Sequence, residues 1–310
     1  MRRIKKCTVF LLVLCLLLNL AGCAAAQKPL RVTLVLKTVT EVAEFWGTLL
    51  SGVEKAAEEY GVELKVLTSP REIDIDKQIE LIRQVTADKP DVMILSAADY
   101  DRCAEATEEA IAAGIGVVAI DTDVNAAGRA CFVGSNSYEI GLEMGRAMAS
   151  YLPEGGKVAV IQHMLTTTTG IERTRGVLDA LNEAGNIEIL GSFCCDNSTE
   201  QAQTITTELL SADPEIRGFV CTNEVCNVGA ANALVELGMG GRVYVVGCDN
   251  SQRQIQFLEQ NIIQAIVTQR PFNMGYVAVQ QAVRVANGEQ TDDFVEVSCV
   301  LITRENMYTQ

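Results

Sequence analysis

Apolar and polar positions alternate between two patterns from residue 31 onward. Short runs such as 31–36 (RVTLVL) are continuously apolar and rich in β-branched residues, which is typical of strands buried on both faces. Between these runs lie longer segments with apolar residues at helical spacing, the first over 45–61 and ending at Gly61. Strands and helices that alternate in this way form βαβ units with parallel sheets. The pattern therefore predicts an α/β protein.

The alternation continues to residue 287 and contains too many strands for one sheet. It also repeats: GVVAIDTD (116–123) and VYVVGCDN (243–250) are both buried strands that end in an acid. We therefore expect two similar lobes, with a crossover near residues 134–136. Strands are predicted at 31–36, 62–67, 91–96, 116–121, 157–162, 187–193, 218–222, 242–249 and 262–268. Helices are predicted at 45–61, 75–87, 103–114, 138–151, 170–184, 199–211, 226–237, 251–260 and 274–287.

The start of the chain has a different pattern. Residues 2–6 hold four cations, and residues 8–18 are almost wholly apolar, which is typical of a secretory signal and short for a membrane span. Residues 20–23 (LAGC) resemble a bacterial lipobox, which implies cleavage before Cys23 and a lipid on its sulfur. We expect a signal peptide at 1–22 and a lipid-anchored tether at 23–29, outside the cytoplasm. An ordinary signal with a chance cysteine and an uncleaved anchor are the alternatives.

Charge narrows the range of partners. The chain has 25 Lys and Arg against 40 Asp and Glu, and loss of the signal would take its net charge from −15 to −19. This charge is spread along the sequence. It disfavours nucleic acids and anionic lipid headgroups, which bind basic patches, and it disfavours anionic ligands unless a local basic pocket is present.

The cysteine spacing does not indicate a disulfide framework or a metal site. There is no CxxC pair, and a core of this size needs no disulfides, so small buried apolar packing is the preferred role for most of them. With His163 as the sole histidine, a zinc site is disfavoured. No metal and no cofactor is expected. Besides Cys23, the cysteines after the signal are Cys103, Cys131, Cys194, Cys195, Cys221, Cys226, Cys248 and Cys299.

Candidate binding residues stand where the predicted strands end. In open parallel sheets the ligand site lies beyond the carboxyl ends of the strands. Carboxylates and amides there can each bond two neighbouring hydroxyls, and flat aromatic rings cover the apolar face of a sugar. Such a mixture suits a polyhydroxylated neutral molecule. The residues are Phe45, Trp46, Asp99, Asp121, Arg173, Asn223, Asp249 and Gln269.

Each of these residues also has a purely structural interpretation. Asp121 and Asp249 could cap the helices that follow. The aromatic pair at 45–46 could belong to the core, Arg173 could be a surface cation, and Asn223 could form a turn. Only their collective placement at strand ends favours a binding site.

Several stretches, in collinear order over most of residues 30–305, resemble type I periplasmic binding proteins of the ribose/galactose/autoinducer-2 cluster. Helix 45–61 opens with paired aromatics as the family's first helix does, and the strand-ending Asp121 and Asp249 match. The further matching stretches are FVGSNSYEIGLEMGRAMASYL (132–152), IERTRGVLDAL (171–181), GFVCTNEVCNVGAANAL (218–234) and IIQAIVTQRPFNMGYVAVQQAV (262–283).

The resemblance implies two Rossmann-like lobes with parallel sheets, joined by a three-strand hinge and closing on one ligand. The expected lobes are 30–134 plus 270–293 and 135–269 plus 294–310. It implies a monomeric receptor that delivers a sugar or polyol to an ABC permease. The implied ligand contacts are Phe45, Trp46, Asp121, Arg173, Asn223, Asp249 and Gln269.

Departures from the family put ribose itself in doubt. Thr122 replaces an arginine of the ribose receptors, an asparagine is missing near Ala43, and residues 97–98 replace a proline. Lys37, at the end of the first strand, could compensate by reaching the ligand, although a surface lysine is the alternative. Lys37, Asp99 and Thr122 are therefore possible further ligand contacts.

Two other function classes remain. A closed receptor could dock on a membrane sensor kinase or chemoreceptor instead of a permease, and sequence does not separate these. Asp121 and Asp249 could do glycoside chemistry at the right separation, but no raised-pKa acid, P-loop or G-x-S-x-G elbow supports an enzyme. His163 follows the strand predicted at 157–162 and is expected near the cleft, where a bystander role is preferred to proton transfer. A repressor is excluded, because a signal peptide stands where a helix-turn-helix would be.

Overall fold

The computed structural model describes residues 28–38 and 44–309. The expected signal peptide (1–22), the expected tether up to residue 27 and Cys23, the expected site of lipid attachment, lie outside the described residues. The strands are β1 (Arg31–Leu36), β2 (Glu63–Thr68), β3 (Val92–Leu95), β4 (Gly116–Ile120), β5 (Cys131–Gly134), β6 (Gly156–Gln162), β7 (Ile187–Cys194), β8 (Ile216–Cys221), β9 (Tyr244–Cys248), β10 (Ala265–Thr268), β11 (Phe294–Glu296) and β12 (Val300–Thr303). The helices are α1 (Glu44–Tyr60), α2 (Ile75–Asp88), α3 (Ala104–Ala112), α4 (Ser137–Tyr151), α5 (Thr168–Ala184), α6 (Thr199–Ala212), α7 (Glu224–Glu236), α8 (Gln252–Glu259) and α9 (Pro271–Ala286).

The strands form two six-stranded sheets with the same internal order. The first is ordered β11-β5-β4-β3-β1-β2 and the second β12-β10-β9-β8-β6-β7. All described pairings are parallel except that of β10 with β12, which is antiparallel. The shared order explains the sequence repeat, since β4 and β9 occupy the same place in the two sheets. The predicted two-lobe α/β fold is confirmed.

Each sheet is buried on both faces, as its continuous apolar runs predict. In β1, Leu34 packs with α1 and α9 on one face, whereas Val35 packs with α2 and α3 on the other. Both residues are completely buried. The second sheet is sandwiched in the same way by two clusters. The strand ends are thereby fixed on a rigid layer.

The chain passes between the sheets three times, after β5, after β10 and between β11 and β12. The first passage lies at the predicted crossover near residues 134–136. β11 (Phe294–Glu296) pairs with β5 of the first sheet, whereas the sequence-based boundary placed residue 294 onward in the second lobe. A three-residue strand with largely exposed side chains carries too little periodicity to be recognised.

Close helix contacts set the position of α5. A Cβ on Gly141 of α4 would lie 2.2 Å from the Arg173 carbonyl oxygen, and a Cβ on Gly176 would lie 2.2 Å from that of Tyr138. Only glycine permits this approach, so the two glycines determine how near Arg173 comes to the sheet. No helix in the described ranges is both long and apolar enough to cross a membrane.

Candidate functional site

Two aspartates stand at equivalent strand ends of the two lobes. Asp121 follows β4 with φ 62°, and Asp249 follows β9 with φ 70°. Their backbone N–H groups donate to Val133 on β5 (3.0 Å) and Val267 on β10 (2.9 Å), respectively. Non-glycine residues in this left-handed region are held there at a cost of about 1–3 kcal/mol each, which the surrounding structure must offset.

The helix-cap interpretation of these aspartates is wrong. The element after Asp121 is a strand, β5, and α8 after Asp249 is capped by Ser251 in a reciprocal capping box with Gln254. Both carboxylates line a cleft between the lobes instead.

A buried ion-pair group lies on the first-lobe side of the cleft. Lys37 Nζ is 2.9 Å from Glu72 Oε1 and 3.3 Å from Asp121 Oδ2, and all three side chains are at most 5% exposed. Burial would lower the pKa of Lys37, but the two carboxylates outweigh it and raise that pKa above its ordinary value. Lys37 is therefore a fixed cation in the cleft, and its surface-lysine interpretation is wrong.

Arg173 and His163 form the second-lobe floor. Arg173 is 2% exposed, its Nη1 donates to the Thr222 carbonyl (2.9 Å), and its Nε has no hydrogen-bond partner among the described residues. Burial would lower the pKa of Arg173, but nearby Cys248, Asp249 and Asp121 raise it. A buried arginine with a spare donor is available to a ligand oxygen.

His163 is held as a neutral ring. Its Nδ1 lies 2.8 Å from Thr222 Oγ1 and its Nε2 lies 3.2 Å from Thr169 Oγ1. Burial, together with the cations Lys37 and Arg173, lowers the pKa of His163 well below its ordinary value. The imidazole therefore presents one donor and one acceptor but no charge.

Two N–H donors orient Asp249, and Cys248 Sγ makes a longer contact with its Oδ1 (3.6 Å). Gln269 Nε2 donates to its Oδ1 (2.9 Å), and the Glu224 backbone N–H donates to its Oδ2 (3.3 Å). The Glu224 side chain is buried beside it, with an Oε2 that has no hydrogen-bond partner in the described part of the chain. Burial, reinforced by Asp249, raises the pKa of Glu224 to about 7.

Two aromatic rings form a wall of the cleft. The Phe45 and Trp46 ring centroids are 5.1 Å apart at an interplanar angle of 87°, and Lys37 Nζ lies 5.7 Å from the Trp46 ring centroid. Trp46 is only 5% exposed and also packs in the first-lobe core with Leu49. The core interpretation of Trp46 is therefore confirmed, and its ring also lines the cleft.

A line of hydrogen bonds crosses from one lobe to the other. Asn223 Oδ1 accepts from the Cys226 N–H and caps α7, while its Nδ2 donates to Asn197 Oδ1 (2.8 Å). Asn197 Nδ2 in turn donates to Glu72 Oε2 of the first lobe (2.8 Å). The structure thus brings the lobes into direct contact through the walls of the cleft.

Most of the residues expected from sequence meet in this one cleft, whose space is about 420 Å³ including the part open to solvent. Further lining residues were not among those expectations, notably Glu72 and Asn197 on the loops after the edge strands β2 and β7. Both residues follow the second strand of their lobe, and this equivalence is the sequence feature from which they could have been predicted. His163, expected near the cleft as a bystander, also lines it. The expected lining residues are Lys37, Phe45, Trp46, Asp121, Arg173, Asn223, Asp249 and Gln269, and the unexpected ones are Glu72, Thr169, Asn197, Glu224 and Val225.

Asp99 and Thr122 do not line the cleft. Asp99 Oδ1 accepts from the N–H groups of Asp101 and Arg102 in the turn before α3. Thr122 is fully buried and donates through Oγ1 to the Ala97 carbonyl (2.7 Å). Their polar atoms are used within the first lobe.

The arrangement offers many hydrogen-bonding groups of the kind that suit hydroxyls. It combines fixed carboxylates, amides, an imidazole and two cations from both lobes with an apolar wall, all largely buried. Within residues 28–38 and 44–309, no three His, Cys, Asp or Glu side chains are grouped to hold a metal ion.

Comparison with known proteins places this geometry in a family. The model of the periplasmic binding protein domain matches residues 33–290. The D-allose-binding periplasmic protein of Escherichia coli is 25% identical over 93% of this chain and 96% of its own, and the D-ribose/D-allose-binding protein of Pseudomonas aeruginosa is 26% identical over 89% of each. A solved ABC transporter solute-binding protein of Actinobacillus succinogenes, with bound D-allose, superposes with a TM-score of 0.84 at 26% identity, covering 91% of this chain and 100% of its own. The chain belongs to the periplasmic binding protein domain family.

Proposed function

We propose that this protein captures a monosaccharide-like ligand between its two lobes and delivers it to a sugar ABC importer. The observation that carries the proposal is the buried cleft in which each lobe supplies one strand-ending carboxylate, Asp121 and Asp249. A ligand that bonds to both lobes favours the closed arrangement over an open one, which is how closure couples to capture.

The chemistry of the cleft supports a sugar. Asp249 is held by Gln269, and its remaining lone pairs can accept from ligand hydroxyls. Arg173 offers an unused donor, and the Phe45–Trp46 wall suits the C–H face of a pyranose or furanose ring. Relatives named for allose and ribose binding point to the same class of ligand.

The charge of the cleft supports a neutral ligand. Two cations, Lys37 and Arg173, face three carboxylates and the Glu224 carboxyl, whose pKa is about 7, so only a small negative excess remains. An acidic sugar would have to displace a buried carboxylate from its cation, which is costly in a desolvated site.

We further propose that the protein works outside the cytoplasm as a monomer, held to the cell membrane by a lipid on Cys23. The basic and apolar leader followed by LAGC supports this assignment. Replacing Cys23 by serine should release the protein from membranes into the soluble fraction. Continued anchoring would contradict lipid attachment at this residue.

A thermal-shift panel tests the sugar assignment. D-allose, D-ribose, D-arabinose, D-galactose and myo-inositol are added to protein shown to be folded and free of ligand. A ligand at about 100 times its Kd contributes roughly 2.7 kcal/mol, which should raise Tm by several degrees. The same panel on Asp99→Asn, a buried aspartate of the turn before α3 that does not line the cleft, should give the same response. A flat panel with both proteins would overturn the assignment.

A further inference from the structure

Two cysteines of the second lobe face each other behind the cleft. Cys195 Sγ and Cys226 Sγ lie 3.2 Å apart, and both residues are fully buried. Cys195 is on the loop between β7 and α6, whereas Cys226 is in the first turn of α7. They are 31 residues apart in sequence, so no short cysteine motif indicates that they are neighbours.

The pair needs little movement to be joined. Sulfur atoms in a disulfide are about 2.0 Å apart, so an approach of roughly 1 Å, within reach of small side-chain rotations, would form the bond. Among the described residues this is the one contact between two cysteine sulfurs. Cys194, its neighbour in sequence, instead donates to the Asp196 carboxylate at 3.3 Å.

The backbone beside Cys195 is in an unfavourable conformation. Asp196 and Asn197 are consecutive non-glycine residues in the left-handed region, with φ 48° and 54°. Two backbone bonds hold this loop, from the Cys195 N–H to the Gln162 carbonyl and from the Asn197 N–H to that of His163. A covalent link at Cys195 would hold the same loop directly.

We propose that Cys195 and Cys226 form a disulfide as the chain folds outside the cytoplasm. In this step the Cys195 thiolate attacks a small-molecule or protein disulfide, forming a mixed disulfide and releasing one thiol. The Cys226 thiolate then attacks Cys195 Sγ, forming the Sγ–Sγ bond and releasing the second thiol. One oxidant disulfide is reduced to two thiols, and the two cysteines lose their two thiol hydrogens.

In the folded lobe the two thiols have different environments. The hydrogen bond from Cys226 lowers the pKa of Cys195, whereas burial raises the pKa of Cys226 well above its ordinary value. Because both sulfurs are buried in the folded lobe, the exchange precedes closure of its core. Oxidising compartments outside the cytoplasm are where such bonds persist.

The bond would stabilise one face of the cleft. It connects the loop that carries Asn197 to the start of the helix that carries Asn223 and Glu224, three cleft residues. The loop between the two cysteines would then be closed in the unfolded chain as well, which favours the folded state.

Peptide mapping tests the bond directly. The full-length chain is exported by a bacterial host, denatured with an alkylating reagent and no reductant, and digested with trypsin. Peptides 176–217 and 218–242 each contain two cysteines, and they should be recovered linked and separate only after reduction. Recovery of both peptides unlinked, with all four thiols alkylated, would overturn the proposal.

Serine variants identify which sulfurs are joined. Cys226→Ser should abolish the link, whereas the control Cys194→Ser, which changes the adjacent half-buried cysteine, should retain it. Reductant should lower Tm by several degrees in the wild type and in Cys194→Ser but leave Cys226→Ser unchanged. If Cys226→Ser does not fold, the wild-type map still decides. Loss of the link in Cys194→Ser would show that a different pair is joined.

Discussion

At the scale of single residues, the cleft is a set of buried charges that hold one another in place. Lys37 lies between Glu72 and Asp121, and Asp249 accepts from Gln269 and from the backbone of Glu224. Removing one member leaves its partners buried without compensation, which costs more than the lost contact itself. Substitutions here should therefore lower stability, and those that remove groups facing the cleft should also weaken sugar binding.

Asp249→Ala should abolish measurable sugar binding while the protein remains folded. Hydrogen bonds to charged groups contribute about 1.5–3 kcal/mol each, so losing two ligand bonds weakens Kd by at least roughly 100-fold. Isothermal titration with the best sugar of the panel measures this loss, and circular dichroism checks the fold. Asp99→Asn is the matched control and should bind like the wild type, since Asp99 bonds only within its own turn. Equal affinity in Asp249→Ala would remove Asp249 from the site.

Glu224 should make stability depend on pH. Its folded pKa of about 7 lies above the ordinary value of 4.5, so the folded state binds the extra proton and loses stability as pH rises from about 4.5 to 7. The full effect is up to about 3 kcal/mol. His163 acts in the opposite sense, because its lowered pKa makes the folded state lose stability as pH falls through 6.5.

The difference in unfolding free energy between the wild type and Glu224→Gln isolates the contribution of Glu224 from that of His163. Denaturant unfolding at pH 5 and pH 7.5 should show the variant gaining stability relative to the wild type at the higher pH. Parallel pH profiles for the two proteins would mean that Glu224 is ionised and compensated in the folded state.

At the scale of elements, strand ends were predictable from sequence but loops were not. Buried parallel strands give continuous apolar runs, so the residues directly after them, Lys37, Asp121 and Asp249, could be placed at the cleft. The prediction fails for Asp99, which does not directly follow its strand. It stands four residues after the end of β3, and its carboxylate accepts hydrogen bonds within the turn before α3 instead of facing the cleft.

Glu72 and Asn197 were not predicted from sequence for a different reason. They lie on loops after β2 and β7, edge strands whose side chains are half exposed and whose patterns are weak. The hydrogen bond between them joins residues 125 positions apart. Such a contact depends on how the two lobes meet, which local pattern does not encode.

Gly141→Ala tests how helix contact positions Arg173. The added Cβ would meet the Arg173 carbonyl oxygen and push α5 away from α4, lowering stability by about 1–3 kcal/mol and weakening sugar binding. Gly47→Ala on α1 is the control, since its Cβ meets nothing within 4 Å and should stabilise the helix by about 0.5–1 kcal/mol. Denaturant unfolding and titration calorimetry measure both. If Gly141→Ala left stability and sugar affinity unchanged, the α4–α5 contact would have room for the added methyl group.

At the scale of the whole molecule, the lobes are closed on each other. Besides the Glu72–Asn197 bond, the Tyr100 N–H donates to the Thr166 carbonyl, and the Gln252 N–H at the start of α8 donates to the Glu44 carboxylate of the first lobe. The protein itself therefore supplies part of the free energy of closure, and the ligand adds to it.

Glu44→Ala should make closure less favourable. A carboxylate at a helix N-terminus contributes about 0.3–1 kcal/mol at an exposed site, so sugar affinity should fall by a few-fold. The control Glu54→Ala removes the same charge from α1 without an interlobe contact. Small-angle X-ray scattering should show a larger radius of gyration for ligand-free Glu44→Ala than for Glu54→Ala. Identical radii and affinities would mean that the Glu44 contact does not contribute to closure.

The equivalent strand ends of the two lobes differ in a consistent way. Lys37 after β1 corresponds to His163 after β6, and Glu72 after β2 to Asn197 after β7, so the charged member of each pair belongs to the first lobe. At the third pair of equivalent strand ends, after β4 and β9, both lobes carry an aspartate. A symmetrical frame would accept a sugar ring in either of two opposite orientations, related by a half-turn. Because these positions differ in charge, the two orientations are not equivalent, and we expect a bound sugar ring to adopt one of them.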